Sequence, residues 1–356
     1  MLKRFRFLLV FLLLAGTAFS QDITGYIDGY YLYNLNKPAS RTNQIRAFDI
    51  NHSEFSLNYA ELVVDKKPDP LGYRIDIGFG DASKIVHAVE PAGTNLYQYL
   101  QQFYVTGTKN QFTVDFGKFV TPHGSEVIET RDNWNYSRGV LFTWAIPFYH
   151  FGIRTTAAVN DKFTLGGSVT NGWNNVKDNN QQKTGALMVS LKPGKLVFTQ
   201  QFMFGKEQAN AEGNGTRLLF DTILSMEATD KISWMINYDY GTDITGGNTV
   251  EWKGVALYAR VTPHPKFKVS PRFEWFEDTD GYMTGSTKVL KEATITSQFL
   301  VHPDMSIWAE FRRDWTRVPE SGLPAGPPIF EVNDNGIRDY QPTVTFGVTY
   351  SFTRTQ

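Results

Sequence analysis

Along most of the chain, apolar and polar residues alternate one by one. Ile232, Trp234, Ile236, Tyr238 and Tyr240 share one face of a segment whose other face carries Ser233, Met235, Asn237, Asp239 and Gly241. Tyr73, Ile75, Ile77 and Phe79 alternate likewise with Arg74, Asp76, Gly78 and Gly80. Val344, Phe346, Val348, Tyr350 and Phe352 alternate with Thr343, Thr345, Gly347, Thr349 and Ser351. A period of two belongs to a β-strand with one apolar and one polar face. The pattern predicts strands over 22–35, 53–66, 72–81, 99–108, 111–119, 150–159, 162–171, 183–192, 195–205, 216–228, 231–242, 251–262, 266–277, 289–301, 305–316 and 343–352. Most exceed the roughly 5–6 residues of an ordinary soluble strand and match the roughly 9–11 that a tilted strand needs to cross a bilayer.

The connections fall into two alternating sets. One is short and built of turn residues, such as Lys67-Pro68-Asp69-Pro70, Asn160-Asp161, Pro193-Gly194 and His302-Pro303-Asp304. The other is long and polar: 36–52, 82–98, 120–149, 172–182, 206–215, 243–250, 278–288 and 317–342. Short turns on one rim and long loops on the other mark an outer-membrane barrel. A Greek-key sandwich has no reason to sort its loops this way. The expected fold is all-β: a transmembrane antiparallel up-and-down barrel of about sixteen strands, within a range of 14–18, with short periplasmic turns and long extracellular loops. The count turns on Val140–Ile146, which is read as loop so that the short turns stay on one rim.

Ahead of the first strand lies an export address. Lys3, Arg4 and Arg6 precede an apolar run from Phe7 to Ala15, and Ala18 and Ser20 fit the small-x-small cleavage rule. Residues 1–20 are therefore expected to be a cleaved signal peptide and 21–356 a single barrel in the outer membrane of a Gram-negative cell. The full chain has 35 Lys+Arg against 36 Asp+Glu; losing three bases with the leader leaves 32 against 36, a formal −4. That balance argues against a nucleic-acid binder. The absence of cysteine excludes disulfide scaffolds, cysteine-based metal centres and thiol catalysis. The mean hydropathy of −0.32 excludes a helical membrane protein but not a barrel, whose alternating faces cancel. Abundant aromatics, with 8 Trp, 17 Tyr and 27 Phe, suit the girdles a barrel sets at both membrane interfaces.

If the apolar face meets lipid, the polar face lines a lumen. Expected wall residues include Arg74, Asp76, Asp115, Arg154, Asp239, Arg272, Glu310 and Arg312. A dry core could not hold so many charges unpaired, whereas a water-filled pore keeps them solvated, and sixteen strands leave room for one. The connection 120–149 mixes charges with Trp134, Tyr136, Phe142 and Trp144. A loop folded into the barrel would need both, and Glu126, Glu129, Arg131, Asp132 and Arg138 are the expected constriction. The competing expectation is an external cap with solvated charges. The final strand carries Thr345, Gly347, Tyr350 and Phe352 in the polar-x-Gly-x-x-aromatic-x-aromatic spacing by which bacterial barrels are recognised for insertion, followed by a short tail, Thr353–Gln356. Gly347, Tyr350 and Phe352 are its candidate signal.

Several segments resemble a known family. Asn58-Tyr-Ala-Glu-Leu62, Gly72-Tyr-Arg-Ile-Asp-Ile-Gly-Phe-Gly80, Gly117-Lys-Phe-Val-Thr-Pro122, Glu126-Val-Ile-Glu129, Asp132-Asn-Trp-Asn-Tyr-Ser-Arg138, Phe142-Thr-Trp-Ala-Ile-Pro147 and Asn171-Gly-Trp-Asn-Asn175 are similar to the outer-membrane β-barrel porins of the OmpL-like type. The resemblance implies an outer-membrane porin and supplies neither a substrate nor binding residues.

No Gly-x-Ser-x-Gly elbow or His-Glu-x-x-His occurs, so no enzyme is expected. His123, Glu126 and Glu129 would share a face of a helical turn and could bind a divalent ion, but Pro122 and Gly124 interrupt such a helix, and an acidic pore lining is preferred. Asp334 and Asp339 near Gly336 lack the spacing of a calcium loop. No metal or cofactor is expected. The expected partners are outer-membrane lipid, the barrel-assembly machinery and small polar solutes or ions, with the oligomeric state left open. Two functional classes are carried: a passive diffusion channel for ions and small polar solutes, with the acid excess tilting it towards cations, and a non-conducting barrel whose long loops serve as a surface receptor or adhesion platform. A soluble secreted β-protein is the remaining reading and would be recovered without detergent.

Overall fold

The computed structural model describes residues 21–90, 95–208, 215–285, 288–317, 329–333 and 336–355. The signal peptide expected over 1–20 lies outside these residues, as does Asp334 of the acidic loop.

Alternation is realised as a closed antiparallel barrel of sixteen strands. In chain order these are β1 (Asp22–Asn34), β2 (Glu54–Lys66), β3 (Leu71–Phe79), β4 (Leu100–Lys109), β5 (Phe112–Val120), β6 (Tyr149–Asn160), β7 (Phe163–Thr170), β8 (Thr184–Leu191), β9 (Leu196–Gly205), β10 (Arg217–Thr229), β11 (Ile232–Thr245), β12 (Asn248–His264), β13 (Phe267–Asp278), β14 (Lys288–His302), β15 (Met305–Arg317) and β18 (Tyr340–Thr355). Each strand pairs with its neighbour in sequence, and β18 closes the ring on β1 from Asp22↔Thr355 to Asn34↔Thr343. Closure leaves no unpaired edge, which lets a sheet sit in lipid without exposed backbone donors. A two-stranded hairpin, β16 (Phe330–Glu331) and β17 (Ile337–Arg338), decorates the connection into β18.

The outward positions are apolar, among them Leu187, Phe116, Ile153 and Phe346. Among the described residues no helix is long and apolar enough to cross a membrane. The inward positions carry most of the buried polar residues.

Predicted and observed strand ends agree to within three residues throughout, and the differences of three fall at two places. The connection 243–250, expected to be a long loop, is a tight hairpin, because β11 and β12 pair out to Thr245↔Asn248. Gly246 and Gly247 form its turn with φ of 57° and 82°, a combination that two-residue hairpins require and glycine adopts without strain. The last strand begins at Tyr340 and continues to Thr355, taking in the tail that follows Phe352, because β1 offers partners to that point. Val140–Ile146 lies in a connection, as expected; Val140–Trp144 forms a short helix, α2. The earlier connection 82–98 holds another, α1 (Asp81–Val86).

Leu187 stands at the centre of β8 with 60% of its surface exposed. Leu187→Arg is expected to weaken folding into lipid vesicles by about 2–4 kcal/mol, the usual cost of a cation on the lipid face near the midplane. Urea-titrated folding scored by heat-modifiable gel mobility measures it; an unchanged folding free energy would mean that β8 does not face lipid.

Candidate functional site

The 28 residues 121–148 join β5 to β6, and their backbone and side chains bond to inward-facing side chains of ten other strands, β1, β2, β9–β15 and β18. Its root is tied by Gln201 Nε2 donating to the Pro122 carbonyl (2.7 Å), and by the Gly124 and Ser125 amides donating to Asp221 Oδ2 (2.6 Å) and Asn237 Oδ1 (3.0 Å). Its tip reaches β1 and β18: Tyr136 Oη and Thr130 Oγ1 donate to the two oxygens of Asp28, each at 2.6 Å, and Arg131 donates to Ser351 Oγ (2.7 Å). The returning limb runs back over β15, β13 and β12. Glu310 accepts from the Tyr136 and Ser137 amides, at 2.8 and 3.2 Å. Glu274 accepts from the amides of Val140 and Leu141, and Trp252 Nε1 donates to the Ala145 carbonyl (3.1 Å).

The reason is local. A loop away from bulk water must still satisfy its backbone groups. Inward carboxylates of the wall serve as acceptors for its amides, and Glu274 takes the free N–H groups that open α2. Glycine is required where the two surfaces touch. A Cβ on Gly139 would collide with the Glu274 carboxylate, and one on Gly347 with the Tyr136 ring. Tyr136 is itself wedged between Tyr30 and Trp308.

Beneath the loop lies a chain of ion pairs. Arg272 donates to Glu126 Oε1 (2.6 Å) and to Glu292 Oε1 (2.8 Å). Arg312 reaches Glu292 Oε2 at 3.3 Å and Asp314 Oδ1 at 2.7 Å, and Arg46 reaches Asp314 Oδ2 at 2.7 Å. These side chains are almost wholly buried. Their mutual pairing offsets the cost of removing each from water.

Of the five residues expected to form a constriction, Glu126 and Arg138 are buried and hold the loop. Glu126 also accepts from the Gly139 amide (2.6 Å), and Arg138 donates to the carbonyls of Val127, Tyr136 and Ile128 at 2.6–3.0 Å. Glu129 is half-buried, and burial pushes its carboxyl above the usual range. Arg131 keeps 23% of its side chain exposed and Asp132 60%, and these two ion-pair with each other at 3.3 Å.

The expected wall residues divide similarly. Asp76, Asp239, Arg272, Glu310 and Arg312 are at most 3% exposed; Asp76, Arg272, Glu310 and Arg312 meet hydrogen-bonding partners, whereas Asp239 Oδ2 has none. Arg74 pairs with Asp76 at 2.9 Å and Arg154 with Asp115 at 2.7 Å, and these two arginines stay 30% and 23% exposed. Gly347 faces inward, while Tyr350 and Phe352 face outward. His123, Glu126 and Glu129 share no helical face: the chain is extended or bent from 121 to 129, and Glu126 turns to Arg272. Among the described residues no group of three or more His, Cys, Asp or Glu could hold a metal ion.

Sequence reasoning missed Glu292 and did not foresee that Asp28 would anchor the loop. For Glu292 the signal was present: it alternates with Leu290, Thr294 and Thr296, all inward. For Asp28 none existed, because its partners Thr130 and Tyr136 lie more than 100 residues away.

A family model described as "Putative beta-barrel porin-2, OmpL-like" matches residues 20–352. No curated protein matches the chain in sequence. Solved structures share its fold at low identity. An anion-selective porin from Comamonas acidovorans has a TM-score of 0.65 at 10% identity, covering 94% of this chain and 100% of that one. The outer membrane channel DcaP of Acinetobacter baumannii has a TM-score of 0.62 at 12% identity, covering 95% and 99%. Pseudomonas putida OprB has 0.61 at 12% identity, covering 96% of each chain.

Two outcomes are expected. Arg272→Ala strands Glu126 and Glu292 without their shared cation and should cost about 3–5 kcal/mol in detergent-solubilised stability; a melting temperature equal to wild type would remove the ion-pair chain from the account. His123 is 2% exposed, and its imidazole is held down at about 3, by burial first and the neighbouring His150 second. The unfolded chain takes up that proton near pH 6.5 and the folded one near 3, so stability should fall as pH drops from about 6.5 towards 3. Replacing His123 with Asn should flatten that slope in a pH series of thermal melts.

Proposed function

Because the chain belongs to the OmpL-like beta-barrel porin-2 family, it is an outer-membrane channel for passive diffusion, and we propose that its solutes cross a water-filled lumen narrowed by the loop 121–148. The observation that carries this reading is the loop's hydrogen bonding to inward side chains of so many strands, from Asp28 on β1 to Asp221 on β10 and Glu310 on β15. A loop held that way occupies lumen cross-section, and a charged or polar rim at a narrowing is how pores discriminate.

In this reading the five loop residues have different tasks. Glu126 and Arg138 fix the loop against the wall, Glu129 sits at its edge, and Arg131 and Asp132 present charge to the aqueous space. Of the eight expected wall residues, Arg74 and Arg154 are the charges that remain within reach of a solute. The acid excess counted along the sequence gives little cation preference, since Asp28, Glu274 and Glu310 are buried under the loop. The same reading takes residues 1–20 as a cleaved export signal, and Gly347, Tyr350 and Phe352 as the strand signal for the assembly machinery. Outer-membrane lipid covers the apolar exterior. No chemical catalysis is assigned to the barrel. The receptor or adhesion role has no specific observation in its favour.

Reconstituted in planar bilayers, the protein is expected to give stable unitary steps. Under a KCl gradient, Asp132→Lys should move the reversal potential towards anions and Arg131→Glu towards cations, because charges within about 8–10 Å of the ion path are poorly screened. A folded barrel that gives no steps and admits no neutral solute ends the channel reading; steps with unmoved potentials take Arg131 and Asp132 out of the ion path.

A further inference from the structure

Three open spaces line up along one sector of the barrel, and strand register fixes their order. On β9, Val197 borders the first, Gln201 the second, and Glu207, just past the strand end, the third. On β8 the succession is Lys192, then Met188, with Asn179 and Asn175 beyond the far end. On β10 Ser225 borders the first and Arg217 the third. The first space, towards the short-turn rim, has a volume of about 580 Å³ and touches Trp134 of the loop. The third, among the long loops, has about 400 Å³, and the second, between their levels, has only about 40 Å³. At about 3.3 Å per residue, Val197 to Glu207 spans roughly 30 Å, the thickness of a bilayer core.

The wall of this sector differs in kind from the rest. Ser168, Ala186, Met188, Ser190 and Thr199 point inward and are half-buried, whereas the ionised wall under the loop is sealed. Among the residues lining the middle space, Arg154 is the one ionised group. Its guanidinium is held by Asp115 at 2.7 Å and lies 4.5 Å over the Phe119 ring, so the neck carries no net charge. Pro122 brings the root of the loop against it.

We propose that this sector is the permeation path, and that Pro122, Ala186 and Met188 form a neck selecting small uncharged polar solutes over ions. The proposal rests on the porin reading. A space of about 40 Å³ holds little more than one water. An ion passing it sheds hydration and meets no compensating charge, while a hydroxylated neutral solute loses less and meets Ser168 and Gln201. Met188 sets the width. It packs into the room left by Gly166, where a Cβ would come within 2.9 Å of its methyl carbon, and an unbranched thioether moves aside readily.

The chain lacks cysteine, so a single introduced thiol can be modified after the barrel has folded. Ala186→Cys protein in liposomes is assayed by swelling in glycerol and arabitol, before and after benzyl methanethiosulfonate, with mass spectrometry confirming complete modification. Swelling should fall at least about fivefold on modification, because a benzyl group fills so small a neck. The same treatment of Asp65→Cys, on the inward face of β2, should leave it unchanged. Met188→Ala should speed arabitol more than glycerol. Full modification at position 186 with unchanged swelling would make the neck a dead end and overturn the path. Strong cation or anion conductance beside slow glycerol entry would overturn the solute class. Wild-type liposomes that swell in no solute and pass no ion would fail the porin reading itself, and the neck with it.

Discussion

The carboxylate of Glu126 is where the loop and the barrel become one object. One of its oxygens takes Arg272 from the wall, and the other takes the amide of Gly139 from the returning limb of the same loop. Through Arg272 it reaches Glu292, then Arg312, Asp314 and Arg46, so a single connected set of charges ties β13, β14 and β15 to two different connections. Such a chain stands only if complete. Each member is desolvated and depends on its neighbours for the field that replaces water. The loop's backbone amides, caught by Asp221, Glu274 and Glu310, then follow from the position this chain gives them.

That arrangement divides the interior into two unlike halves. Over β1, β2, β13–β15 and β18 the wall is ionised, dry and covered. Over β6–β9 it is mostly small, uncharged and half-open. A count of charged residues on inward faces describes the first half, while anything moving through the barrel meets the second. Selectivity therefore cannot be read from the number of acids and bases on the strands. It depends on which of them the loop has covered.

Sequence showed the barrel plainly because alternation is a local signal, repeated in each strand and constrained by the same two solvents throughout. It showed the faces of Arg272, Glu310 and Arg312 for the same reason. The hairpin at Gly246-Gly247 was hidden by polar neighbours that look like a loop, although paired glycines are themselves a turn signal. What local pattern could not give was the state of the charges. Whether Glu126 meets water or Arg272 depends on a contact between residues 146 apart in sequence. The tyrosine wedge on Gly347 was invisible likewise: that glycine reads as part of a terminal strand signal, and its lack of a side chain also makes room for Tyr136.

The seam between β1 and β18 has a consequence for how the molecule comes into being. Thr24 and Thr353 share a hydrogen bond of 2.8 Å across 329 residues of chain. Until β18 arrives, β1 presents a bare edge, and so does whichever strand has formed last. No intermediate before that moment is a closed surface, and contacts of such long range are the slowest to form. The barrel cannot be assembled piecemeal as it emerges. It must be kept from pairing with its neighbours as an open sheet, and its final step is a zipper drawn between its two ends.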